Sequence, residues 1–194
     1  LVLDANSRIS LSNNDSGTDN TVFGFLAGAA GMSGGTDNVL IGDYAGNALT
    51  SADHCVAIGA DAMLVHTTGG QNIAIGSGAM DDTNAGSTSL GSIQNIFIGT
   101  NAGGGTWANA ASGYNVCIGT AVMSAALNEA NENVAIGHAC FDTATSGDNN
   151  VFIGSSAGGQ STDIIGATAV GRDALGGVTT TGANYTTAVG FQAL

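Results

Sequence analysis

The chain has no proline, no lysine and only two fixed cations, Arg8 and Arg172, among 194 residues. Each absence excludes something. Two arginines far apart in sequence cannot make the cationic surface that nucleic-acid phosphates require, so no nucleic-acid partner is expected. Leu, Lys, Glu and Gln are scarce while glycine numbers 32, which disfavours long helices. No stretch reaches the 18 uninterrupted apolar residues of a membrane span, so no insertion into a membrane is expected. The chain begins at Leu1 with neither an initiator methionine nor a basic start followed by an apolar run, which suggests a fragment or a processed product. Cys55, Cys117 and Cys140 are odd in number and widely spaced, and read as small buried hydrophobes.

What remains is apolar and acidic. Apolar residues make up 43% of the chain, too many for disorder, and the carboxylates behind a net charge of −13 are scattered through the sequence and not gathered in a block. One pattern is written ten times, and Asn150-Val151-Phe152-Ile153-Gly154-Ser155-Ser156-Ala157-Gly158 is its clearest copy. Aligned on the glycine, the copies centre on Gly24, Gly42, Gly59, Gly76, Gly99, Gly119, Gly137, Gly154, Gly171 and Gly190. The spacings are 18, 17, 17, 23, 20, 18, 17, 17 and 19 residues. A base period of 17 with insertions is the mark of a stacked array whose units cannot bury their apolar sides alone. The fold expected is an all-β parallel solenoid, a β-roll of about ten coils. Residues 1–19 form an N-terminal cap or junction and residues 20–194 the repeat domain. Ten coils at one strand spacing each predict a rod roughly 45 Å long.

Within each unit the residue before the glycine and the residue three before it are nearly all β-branched, as Val151 and Ile153 illustrate. They share one face of an extended strand, and that face is expected to wall the core. The residue between them points the other way, yet it too is apolar. It includes Leu40, Phe97, Cys117 and Phe152. A strand apolar on both sides is normally covered on both sides, so these four are the candidate contacts with another copy of the chain. Asparagine stands four before the glycine at Asn20, Asn38, Asn72, Asn95, Asn115, Asn133 and Asn150, and gives way to Cys55, Ala167 and Thr186 elsewhere. Stacked one coil above another, such side chains can form a ladder. A glycine in every unit fits a positive φ or a close approach of the neighbouring chain. A sharp corner at the glycine and a second short strand after it complete the expected coil.

Little in the sequence promises catalysis. His54, His66 and His138 fall at unrelated places in the repeat. Asp19, Asp37 and Asp148 lie just ahead of strands, where stacked carboxylates could attract a hard cation such as calcium or simply stay solvated. The calcium-binding nonapeptide pattern is absent, and no other cofactor is indicated. Threonines at Thr67-Thr68, Thr179-Thr180-Thr181 and Thr186-Thr187 change place between repeats, unlike an ice-templating face. Trp107, in an inserted loop, is either a packing anchor or part of a glycan- or receptor-contacting surface. Glu129 and Glu132 are thin support for the paired carboxylates of a glycan-degrading spike.

Repeats such as Asp148-Asn149-Asn150-Val151-Phe152-Ile153-Gly154-Ser155-Ser156-Ala157 and Thr187-Ala188-Val189-Gly190-Phe191-Gln192-Ala193-Leu194 resemble the arrays of bacteriophage tail-fibre proteins. They are more distantly similar to the head repeats of trimeric autotransporter adhesins. The opening Leu3-Asp4-Ala5-Asn6-Ser7-Arg8-Ile9-Ser10-Leu11-Ser12-Asn13-Asn14-Asp15 resembles the lead-in of tail-fibre-like sequences from marine phages. The resemblance implies a homotrimer of left-handed β-rolls in a virion tail fibre, with no enzymatic activity. It implies other virion or fibre proteins and a host surface glycan or protein as partners. In that class a self-cleaving C-terminal chaperone often follows the array, which would explain an ending at Leu194 without a cap. A bacterial surface adhesin or extracellular filament is the alternative.

Overall fold

A computed structural model describes residues 17–83, 91–107, 110–177 and 183–194. It is all-β, with ten three-residue strands in one parallel sheet stacked in sequence order. The strands are β1 (Thr21–Phe23), β2 (Val39–Ile41), β3 (Val56–Ile58), β4 (Ile73–Ile75) and β5 (Ile96–Ile98), followed by β6 (Val116–Ile118), β7 (Val134–Ile136), β8 (Val151–Ile153), β9 (Thr168–Val170) and β10 (Thr187–Val189). Register follows the repeat without a slip, so that Ala135 lies opposite Phe152 and Ile136 opposite Ile153. The result is the β-solenoid expected, ten strands joined by nine turns. Most of the proposed 1–19 cap lies outside the described residues. Thr18 already bridges Thr36 in parallel, so stacking has begun by that point.

The two faces of the strand are the reverse of the sequence reading. The middle residue points into the coil: Leu40, Phe97, Cys117 and Phe152 are all fully buried within this one chain. They offer no surface to a second copy and are not inter-chain contacts. The flanking β-branched residues, expected to wall the core, face outward instead and are half-buried or exposed, Ile118 and Ile153 at 38%. One apolar side chain inside and two β-branched ones outside satisfy the same alternation. Strand periodicity alone does not say which face is which.

The interior is closed from the far side of the coil by the segment after the glycine. No second strand forms there. The residues two and four after the glycine have left-handed backbone, as in Asp61 (φ 59°), Met63 (φ 53°), Ala139 (φ 48°) and Phe141 (φ 51°). A third such residue stands five before the glycine, for example Tyr114 (φ 60°) and Glu132 (φ 58°). Left-handed backbone costs an L-residue roughly 1–2 kcal/mol, and here it recurs in every coil. Hydrogen bonds to the adjacent coils hold it: Met63 N donates to Ala79 O at 2.9 Å and Glu132 N to Gly113 O at 3.0 Å. These corners turn the chain where a strand would have continued straight.

The repeat glycine is the fourth corner, with φ between 126° and 148° in all ten coils. In the first nine of them a Cβ would collide with the carbonyl oxygen of the glycine in the next coil. The row of glycines is therefore the line along which consecutive coils approach most closely.

Bulk enters each coil from one wall only. Where the strand carries Leu40, Phe97 or Phe152, the residue four after the glycine is Gly46, Gly103 or Gly158, and a Cβ on it would meet that same side chain. Where the strand carries Ala57, Ala74, Cys117, Ala135 or Ala169, the opposite wall supplies Met63, Met80, Met123, Phe141 or Leu175, all fully buried. The rings of Phe141 and Phe152 reach across consecutive coils from opposite walls and meet edge to face, centroids 4.5 Å apart.

Candidate functional site

The strongest surface feature is a ribbon made by the outward residues of the ten strands. At its two positions stand only valine, isoleucine, Phe23 and, on β1, β9 and β10, threonine. No charge interrupts it, although the chain carries a net −13. At one strand spacing per coil it is roughly 45 Å long and about 10 Å wide. Uncharged apolar patches of several hundred Å² on a folded chain mark interaction surfaces.

A buried polar ladder runs behind the ribbon and fixes its register. The backbone N–H of Asn38 and its Nδ2 both donate to Asn20 Oδ1, at 2.8 and 3.0 Å, and Nδ2 donates again to Ala52 O at 2.8 Å. The same set repeats through Asn95, Asn115, Asn133 and Asn150, with Ala167 N donating to Asn150 Oδ1 at 2.9 Å to end the series. Every amide donor and acceptor of an interior rung is used, which is the condition for burying such a group cheaply. At Cys55 the rung is a thiol: Cys55 N donates to Asn38 Oδ1 at 2.8 Å, and Sγ donates to Gly69 O at 3.5 Å. A second set of bonds runs in the opposite sense two residues earlier. There Asp53 Oδ1 accepts from Thr36 N, Asn131 Oδ1 from Gly113 N and Asp148 Oδ1 from Asn131 N, at 2.7 to 2.9 Å.

The expected chemical residues are dispersed by this frame. Asp148 holds a turn, and Asp37 makes an exposed pair with His54 at 3.6 Å. Among the described residues no group of three or more His, Cys, Asp or Glu is gathered as metal ligands would be. Burial pushes the thiols of Cys55 up to about 11 and Cys140 up to about 12, and Cys117 well up, so all three are inert at neutral pH. Trp107 is a packing anchor: it is fully buried, edge-on to Phe97 at 5.6 Å, and its Nε1 donates to Gly103 O at 2.8 Å. Glu129 and Glu132 are exposed, each in left-handed backbone. Thr179, Thr180 and Thr181 lie outside the described residues. A shallow groove of about 670 Å³ near the last coil is lined by polar residues including Asp142, Gln160, Asp173 and Gln192. Among the described residues no helix is long and apolar enough to cross a membrane.

Sequence reasoning found the glycine row and the asparagine positions but took the ribbon for the core. It also read His66 only as one of three histidines at unrelated places in the repeat, whereas its ring is fully buried beside the broken rung. No protein-family model, no curated protein and no solved structure matches the chain.

Proposed function

We propose that the chain is a structural, non-enzymatic segment of a viral tail fibre or similar appendage. It assembles as a homotrimer that supports or displays elements binding a host surface glycan or protein, joined to other fibre or virion proteins. The observation that carries the reading is the outward ribbon, half-buried or exposed in a single chain and free of charge along all ten strands. A second copy with the same repeat presents the same flat row of β-branched side chains at the same strand spacing, so the two mate without mismatch along their length. The resemblance of the repeats to tail-fibre arrays supports the viral setting.

Light scattering on the purified chain tests the assembly. A mass of three chains is expected, and a stable monomer with Ile136 and Ile153 open to solvent overturns it. Labelled antibodies viewed by electron microscopy test the setting: decoration of a thin rod on a virion supports it, and decoration of a cell envelope favours an adhesin instead.

A further inference from the structure

Ring geometry at His66 singles out the turn between β3 and β4. The ring is fully buried where the asparagine ladder is broken by Cys55. Without an asparagine above it, Asn72 has no Oδ1 to receive its Nδ2, which faces His66 Nε2 at 3.2 Å and Gly69 O at 3.0 Å. His66 Nε2 lies 2.6 Å from Gly69 O, and Nδ1 lies 2.9 Å from Thr83 Oγ1. A carbonyl can only accept, so the proton sits on Nε2, and Nδ1 accepts from the Thr83 hydroxyl. The neutral ring thus ties its own turn, through Gly69, to the next coil, through Thr83, while Asn72 Nδ2 donates to Gly69 O and Ser92 O.

Protonation breaks this arrangement. A proton on Nδ1 forces the Thr83 hydroxyl to turn from donor to acceptor, and it leaves a positive charge fully buried with no bonded carboxylate. The ionisable groups on the packed elements are engaged elsewhere or lie off the ring. On the preceding coil the Cys55 thiol bonds Gly69 O, and Asp53 bonds Thr36. Beside Thr83, Asp82 bonds Thr106, and the Asp81 carboxylate, whose Oδ1 is buried without a hydrogen bond, lies against Gly78 and Gly104 and is not bonded to the imidazole. The other buried polar residues described are Asn, Ser and Thr, which do not titrate.

We infer that His66 makes the β3–β4 turn an acid-sensitive joint, the one place in the described interior where mild acidification opens the solenoid. Burial holds the imidazole below its ordinary range. A depressed folded value means that the ring's contribution is complete above about pH 6.5 and is lost as pH falls from there toward the folded value. Across that window opening takes up one proton, so the open population rises about tenfold per pH unit. The inference rests on the fold alone and not on the fibre reading.

Hydrogen–deuterium exchange on the intact protein, corrected for the intrinsic effect of pH, tests it. Protection of residues 56–83 should fall about tenfold per unit below pH 6.5, while that of residues 133–158, which have an unbroken ladder, stays level. His66→Gln should abolish the difference. Parallel loss in both segments, or an unchanged slope in the variant, overturns the inference. Should the variant not fold, imidazole NMR of the unaltered protein decides: a ring that titrates at its ordinary value with protection intact overturns it, and a ring that stays neutral until the segment opens upholds it.

Discussion

The coils of Phe97 and Phe152 and the coils of Met123 and Phe141 fill the same interior from opposite walls. In the first kind the strand brings the bulk and a glycine yields space after the corner. In the second the strand carries Cys117 or Ala135 and the corner brings the bulk. Neither wall is constant in size, but in these coils a bulky side chain on one wall always faces a small residue on the other. The stacked interior therefore constrains the pair of positions and leaves each one free to vary. It also accounts for the order from β2 to β7, in which one strand-filled coil is followed by two corner-filled ones, twice over, while the ribbon stays free of charge.

Breaking the interior outright should have the largest effect. Ala135→Asp places an unpaired charge inside the coil, and loss of the folded state by circular dichroism is expected. Ile136→Asp, one residue along, faces the ribbon, so the folded chain should persist while light scattering shows a lower mass. Next comes the pairing of the walls. Phe152→Ala should cost about 3–5 kcal/mol in denaturant unfolding. Adding Gly158→Met, at a backbone of φ 63° where other coils place methionine or leucine, should recover a large part of that loss. Failure of the second change to recover stability would show that the walls act independently. Asn115→Ala removes a rung common to both kinds of coil, leaving Ala130 O and Asn133 N without partners, at a cost of about 2–4 kcal/mol by the same measurement. Smallest is Glu132→Gly at an exposed left-handed corner. A gain of up to about 1 kcal/mol is expected as backbone strain is relieved against the greater freedom of the unfolded chain.

Much of this was legible in the sequence. The period, the parallel stacking, the glycine row and the positions of the asparagines follow from spacing, because a stacked coil must repeat what its neighbours need. The inside and outside of the strand did not follow, because Val151, Phe152 and Ile153 are all apolar and alternation has no sign. A signal was nevertheless present. Leu40, Phe97 and Phe152 each precede a glycine six residues later, and Ala57, Ala74 and Ala135 each precede a methionine or phenylalanine at that distance. Two positions that compensate in volume share a space, and that places the middle residue inside. His66 was illegible for another reason: its role depends on a missing asparagine one coil earlier, and no local motif records an absence. Trp107 was left between anchor and contact surface, and only its ring against Phe97 decides it.

Each strand touches only those before and after it in sequence, and this has a mechanical consequence. Force applied to the two ends would be borne by one inter-coil seam at a time, so the chain would peel coil by coil. A 17-residue coil would release about 60 Å of contour, and the 23-residue interval before Gly99 about 80 Å. The force trace of such a molecule would be a ruler of its own sequence, with the long step marking where a loop had been inserted.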